Sequence, residues 1–518
     1  MTSSSSQTAG FDRYAQIGNL ALTVRSMLNR IWLPMIAVLG GETILLLINK
    51  SPAAISFALI AAGTLVPFGV WRHKGIGLPL LPLIALQHLI VYGLPIVTGH
   101  PVVYEYPQNY VTEAGLEVLV FGASMAAAWW LALEFFTPSP PVSYALPDFQ
   151  QEGSDKLKRL GLNLAIVGTL YQVVEKAGAL EFLFALLPTG SSSLVVPLVT
   201  GISACGFFLV SLFVGGGEID QSQRLLFWTL LILSTAISAS GFLLSAATTM
   251  VAAVVIGLFW SSGRIPWRFL TVVIVVLSFF SVSKFTMRGR YWEFDEQLVP
   301  TSTGLVQMPA VYLEWTEASL DALTAAEPEA RFTSTGLTTS SNQQTLLDRI
   351  NNLQNLLFVI DAIKTYNIAP LGGASYSLIP PLLVPRIMWP DKPRTHEGQV
   401  LLNVHFGRQD LNSTYKTYVA WGLLPEAYGN FGSMAGSIVV GVFLGVFFCW
   451  LENLTARKLL LSLEGFLSFT VLLGFAGSFE MVASVLVTMI FQSVIPIMLA
   501  CMPFLRRMTV TRPEAPPA

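Results

Sequence analysis

The sequence predicts an all-α polytopic membrane protein with about twelve transmembrane helices and one large extracytoplasmic loop. Three observations predict it. Of its 518 residues, 53% are hydrophobic and only 12% are charged, against about 25% charged in soluble globular chains. Apolar runs of bilayer length recur along the chain. Lys and Arg fall almost entirely on one set of the loops between them.

The runs lie at 31–48, 54–71, 78–97, 113–136, 158–176, 194–214, 224–240, 242–260, 267–285, 433–451, 459–477 and 481–503. The seventh and eighth are joined only by SASG, so this pair is expected to be either two spans or one broken unit. With the N-terminus inside, the inner side receives Arg13, Arg25, Arg30, Arg72, Lys74, Lys156, Lys158 and Arg159 early in the chain. Later it receives Arg224, Arg264, Arg268, Arg457, Lys458, Arg506, Arg507 and Arg512. The short outer loops receive only Lys50 and Lys176. The expectation is N-in and C-in, with an even number of spans.

The expected organisation is a cytoplasmic tail at 1–30, helices one to nine over 31–285, the large loop over 286–432, helices ten to twelve over 433–503, and a second tail at 504–518. The polar start MTSSSSQTAGFDRYAQ has no signal-peptide pattern, so the first span is expected to direct membrane insertion. Cys205, Cys449 and Cys501 sit inside apolar runs, which gives neither a disulfide framework nor a metal spacing. The net charge of −2 gives no sign of a nucleic-acid partner.

The loop opens with KFTMRGRYWEFDEQ, passes a Ser/Thr-rich tract and then turns helical. TLLDRINNLQNLLFVIDAIKTY, residues 345–366, places Leu346, Ile350, Leu353, Leu356, Leu357, Ile360 and Ile363 at three- and four-residue steps. Arg349 falls within that stripe and Asn352 flanks it. An arginine there either pairs with an anion or snorkels.

Next comes PRIMWPDKP, residues 385–393, whose prolines stiffen a loop bearing Arg386, Asp391 and Lys392 beside Trp389. Arg288, Arg290, Arg349, Arg386, Lys392 and Arg394 thus form an outer set of cations. They are either solvated loop charge or a phosphate-binding set. Glu293, Asp295, Glu296, Asp391, His396, Glu397, His405 and Glu426 form an acid–base set. The EFDE cluster, Glu293 to Glu296, reads better as a solvated turn than as a metal site. His396 offers a base of near-neutral pKa. Glu426, between Pro425 and an aromatic–glycine run, offers a carboxyl group raised by desolvation. Glu42, His88, Glu113, Glu117, Glu175 and Glu480 are ionisable groups within or at the ends of spans. Trp315, Trp389 and Trp421 are expected to anchor at the membrane surface or to stack on sugar rings. No HExxH, paired CxxC or GxSxG occurs in the loop.

PRIMWPDKP, the downstream EAYGNFG and the topology resemble the Wzy-type oligosaccharide repeat-unit polymerases of O-antigen and exopolysaccharide synthesis. The resemblance implies a membrane-embedded, GT-C-like glycosyltransferase in the bacterial inner membrane. Such an enzyme moves a glycan from an undecaprenyl-diphosphate carrier to the terminal sugar of a second carrier-linked repeat unit. It implies membrane lipids and a chain-length-regulating co-polymerase as partners, and neither cofactor nor metal. It carries diphosphate binding onto Arg386 and Lys392 within the motif, and onto Arg349. Glu426 or His396 would be the catalytic base. Arg288 and Arg290 join the diphosphate set by position alone. An O-antigen ligase, a lipid-linked glycan flippase or transporter, and a non-catalytic assembly factor are the competing readings.

Overall fold

A computed structural model describes residues 17–136, 152–180, 186, 192–242, 244–292, 304–324, 350–384, 388–389, 391–416, 419–456, 458, 463–477 and 481–491. Among the described residues the chain is helical throughout and contains no strand. Each predicted apolar run meets a helix where it is described. These are α1 (Ile17–Ile48), α2 (Ala54–Lys74), α3 (Leu80–Val97), α4 (Gln108–Phe135), α5 (Glu152–Lys176) and α6 (Ser192–Gly216). They continue with α7 (Gln221–Ala239), α8 (Leu244–Ser262) and α9 (Trp267–Val282). After the loop come α15 (Ala435–Thr455), α16 (Leu463–Gly477) and a helical stretch at 483–491. Among the described residues, seven helices are long and apolar enough to cross a membrane: α1 to α4, α6, α7 and α15.

Two boundaries differ from expectation, and the alternatives left open at SASG resolve to one. α1 begins at Ile17, inside the expected tail, because nothing in IGNLALTVRSMLNR breaks a helix and Arg25 is tied to the end of α2. Its Nε donates to Arg72 O at 3.0 Å and its Nη2 to His73 O at 2.9 Å. The pair joined by SASG is two helices, turned at Phe242 in the left-handed region (φ 58°). The amphipathic helix of the loop, α12, runs only Leu353–Lys364. Asn351 and Asn352 precede it outside the helix, Asn352 as its N-cap with helical backbone angles (φ −85°, ψ −11°). There the Asn352 amide donates to Val91 O at 3.0 Å, and Asn351 Oδ1 accepts from the Gln354 amide at 3.2 Å. Asparagine competes with helix continuation by such local bonds.

α4 lies between α2 and α15, and small residues bring these backbones together. A Cβ at Gly122 would stand 2.2 Å from Gly63 O, and one at Gly445 2.2 Å from Met125 O. In a bilayer, where lipid is as apolar as leucine, such close approach supplies much of the packing attraction. α5, α6 and α8 form a second group, joined to the first through one continuous buried core.

The loop adds α10 (Lys284–Tyr291), α11 (Met308–Thr324), α12, a 3₁₀ turn (Tyr376–Leu378), a short helix (Ile379–Leu383), α13 (Glu397–His405) and α14 (Leu423–Phe431). Two carboxyl groups mark opposite ends of the bundle. Glu117 receives Ser433 Oγ at 2.9 Å, the Met434 amide at 2.7 Å and Ser437 Oγ at the start of α15. Glu452 at the far end of α15 receives Trp71 Nε1 at 3.1 Å, Trp129 Nε1 at 2.9 Å and the amides of Ile76 and Gly77 at 2.6 and 2.9 Å.

Candidate functional site

Glu426 is the centre of the polar cluster at the Glu117 end. α14 starts at Gly422, whose φ of 86° allows the sharp entry, and this turns Glu426 inward until it is fully buried. Its Oε1 accepts from Ser375 Oγ and its Oε2 from the Ala483 amide, both at 2.6 Å. Asn430, one turn on, donates from Nδ2 to Ser375 Oγ at 2.9 Å and to Glu426 O at 2.8 Å. Burial raises the carboxyl pKa to about 7, although the bonds from Ser375 and Ala483 pull the other way. Tyr376 OH and Ser484 Oγ, both buried beside this cluster, have no hydrogen-bond partner among the described residues.

His396 caps the start of α13 and is half-buried. Its Nδ1 lies 2.8 Å from Gln399 Oε1. Burial lowers its pKa against the effect of that bond, so the ring is neutral at physiological pH and competent to accept a proton. A Cβ at Gly398 would come 2.6 Å from Ser484 Oγ. The first turn of α13 therefore rests on the segment that binds Glu426, and both predicted acid–base residues border 482–484.

Of the predicted cations that are described, Arg288 and Arg290 lie elsewhere and Lys392 is taken up by backbone carbonyls. Arg288 donates from Nε and Nη2 to Phe242 O at 3.2 and 2.8 Å and stacks over Trp292 at 4.4 Å. Arg290 Nη1 lies 2.6 Å from Glu314 Oε1. Both belong to a separate cluster built on Phe242, Met287, Val311 and Trp315. Lys392 is buried, and its ammonium donates to Leu382 O at 2.7 Å and to Val384 O. It closes PRIMWPDKP back onto the end of the preceding short helix, where carbonyls lack intrahelical partners. Arg349 and Arg386 lie outside the described residues, as do Glu293, Asp295, Glu296 and Glu480. Trp315 and Trp421 are wholly buried, so neither offers a face to a sugar ring; Trp389 is exposed.

Arg408 is the cation that sequence reasoning left without a role. It follows Gly407, which takes φ 72°, and is partly buried. Nη1 donates to Asn355 Oδ1 at 2.5 Å, and the guanidinium lies 5.4 Å from the Phe358 ring and 5.9 Å from that of Trp421. It makes no ion pair with a described residue, and burial pulls its pKa down to about 10. Behind it, Asn355 Nδ2 donates to Asn352 Oδ1 at 2.5 Å and Asn352 Nδ2 to Tyr92 OH at 3.4 Å. Tyr92 stands on a π-helical turn of α3, Leu89–Gly93, with His88 edge-on at 5.3 Å. π-Turns often occur at functional positions. α13 and α14 meet close by, where a Cβ at Gly429 would come 3.0 Å from Phe406 Cε2.

Glu113 and Glu117 hold the loop to α4. Glu113 accepts from Tyr428 OH at 2.8 Å and pairs with Lys364. No group of His, Cys, Asp and Glu suited to a metal ion occurs among the described residues.

The fold and this site define a multi-pass α-helical membrane protein with a buried carboxyl group and a partly buried guanidinium in the loop at one end of its bundle. No family model, curated protein or solved structure matches the chain.

Proposed function

We propose that the chain is a membrane glycosyltransferase that polymerises undecaprenyl-diphosphate-linked oligosaccharide repeat units at the outer face of the bacterial inner membrane. The product is O-antigen or exopolysaccharide. One observation carries the reading: a buried carboxyl group of near-neutral pKa, Glu426, and a partly buried guanidinium without a described carboxylate, Arg408, stand on successive segments of one loop at one end of the bundle. In this reading the acceptor hydroxyl gives its proton to Glu426, or to His396 across the 482–484 segment. The hydroxyl oxygen bonds to the anomeric carbon of the donor, whose bond to the diphosphate oxygen breaks. Undecaprenyl diphosphate leaves with the electron pair. Arg408 meets the charge that develops on it, joined by Arg386 and Arg349 of the motif region. Lys392 shapes the loop rather than holding the diphosphate.

The reading includes twelve spans, N-in and C-in. The cluster of Arg25, Arg72 and Lys74 at the Glu452 end supports that orientation, since cytoplasmic loops concentrate Lys and Arg. The test is polymerisation by purified protein in vesicles, supplied with lipid-diphosphate repeat units and a chelator. Wild type is expected to form a ladder of polymer, and E426Q and R408A are not. If both folded variants give the normal ladder, the reading fails. If transfer occurs only to a lipid A-core acceptor, the enzyme is a ligase.

A further inference from the structure

α11 has three faces, and only two of them have an evident environment. Successive residues advance about 100° around a helix. Val311, Trp315 and Ser319 form the buried face. Trp315 Nε1 donates to Phe280 O at 3.0 Å, Ser319 Oγ lies 2.7 Å from Ser283 Oγ, and Tyr312 OH donates to Ala236 O at 2.6 Å. Glu314, Glu317 and Asp321 form a polar face on one side. Leu313, Leu320 and Leu323 form the third face, with exposures of 68%, 51% and 58%. Three leucines so exposed on one stripe, beside a stripe of three acids, do not suit a helix surrounded by water.

The anchor points decide what covers the leucines. Ala236 and Phe280 lie in the last turns of α7 and α9. Both helices continue inward with exposed apolar side chains: Ile232 and Leu233 on α7, and Val272, Ile274, Val275 and Val276 on α9. α11 is thus fastened where two apolar helices reach the edge of their hydrophobic length. We infer that α11 is an interfacial helix, with Leu313, Leu320 and Leu323 seated at the boundary between lipid headgroups and acyl chains. Its acidic face is in water and its aromatic face is on the protein. Such a helix has a strongly sided composition and lies at the boundary rather than crossing it. The occupant of the exposed stripe is the bilayer itself, on the side where α7 and α9 end. The Glu314 contacts with Arg290 and Tyr291 of α10 fix the roll of the helix about its axis.

The test uses the full chain with Cys205, Cys449 and Cys501 replaced by Ala, reconstituted in phosphatidylethanolamine–phosphatidylglycerol vesicles. An environment-sensitive NBD label is placed on a single introduced cysteine: Leu313→Cys, Leu320→Cys, Leu323→Cys, Glu317→Cys or Asp321→Cys. At 313, 320 and 323 the expected result is blue-shifted emission, lost when acyl-brominated lipid is included and insensitive to iodide. At 317 and 321 the expected result is the reverse. Iodide quenching equal at all five positions overturns the inference, because the leucines are then in water. Blue-shifted emission that neither quencher touches also overturns it, because a protein surface then covers them.

Discussion

Ser375 Oγ donates to Glu426 Oε1 at 2.6 Å across 51 residues of sequence. With the Ala483 amide on the other oxygen, this joins three separate segments through one buried carboxyl group. Its pKa is raised from the ordinary 4.5 to about 7, so the folded state binds the proton more tightly than the unfolded chain. Stability from this group is fully present below about pH 4.5 and is lost as pH rises through 7. The loss is of order 3 kcal/mol at most. In detergent, the thermal midpoint of wild type is expected to fall between pH 5 and 8 more steeply than that of Glu426→Gln. Equal slopes would show that Glu426 does not titrate in that window.

Arg408 is expected to act on donor binding more than on folding, because its described contacts are one hydrogen bond and two ring faces. Arg408→Lys keeps the charge and loses the planar fork. Affinity for a lipid-diphosphate donor should drop roughly 10- to 100-fold, as for a charge-assisted hydrogen bond worth about 1.5–3 kcal/mol. The midpoint of unfolding should barely move. Isothermal titration with undecaprenyl diphosphate reads this directly, and unchanged affinity would remove Arg408 from the site.

The contrast between Glu426 and Arg408 shows how far the sequence could be read. Helices were legible because a long apolar run in lipid must satisfy its backbone internally. Glu426 was legible because Pro425 and the aromatic–glycine run beside it announce desolvation. Arg408 was not, since RQDLN looks like any polar loop and its partner Asn355 lies 53 residues away. The periodicity was borne out over Leu353–Lys364, yet it did not show the break before Leu353. That break depends on Asn352 bonding to Val91 in another helix. Glu452 sits just past the tenth apolar run, and its four donors come from α2, the segment after it, and α4; nothing local marks it.

Lys392 separates loop shape from ligand binding. Its ammonium faces Leu382 O and Val384 O from a buried position. Lys392→Met keeps the stem and removes the donors, so the two carbonyls lose a charged partner. A loss of about 2 kcal/mol or more is expected, seen as a lower denaturation midpoint with donor affinity retained in the folded fraction. A variant of normal stability and weakened donor binding would return Lys392 to the diphosphate set.

Glu452 is expected to be the most sensitive single position at the opposite end of the bundle. Glu452→Ala leaves two indole N–H groups and the Ile76 and Gly77 amides without their acceptor, which should cost about 3 kcal/mol or more. Glu452→Gln retains one acceptor oxygen but turns an N–H toward a donor, so it should fall between wild type and alanine. Trp129→Phe removes only one of the four bonds and is expected to cost about 1 kcal/mol. Because Trp129 and Glu452 share a bond of 2.9 Å, the double variant should be less destabilised than the sum of its parts. Additive losses in thermal unfolding would mean that the indole and the carboxyl group act independently.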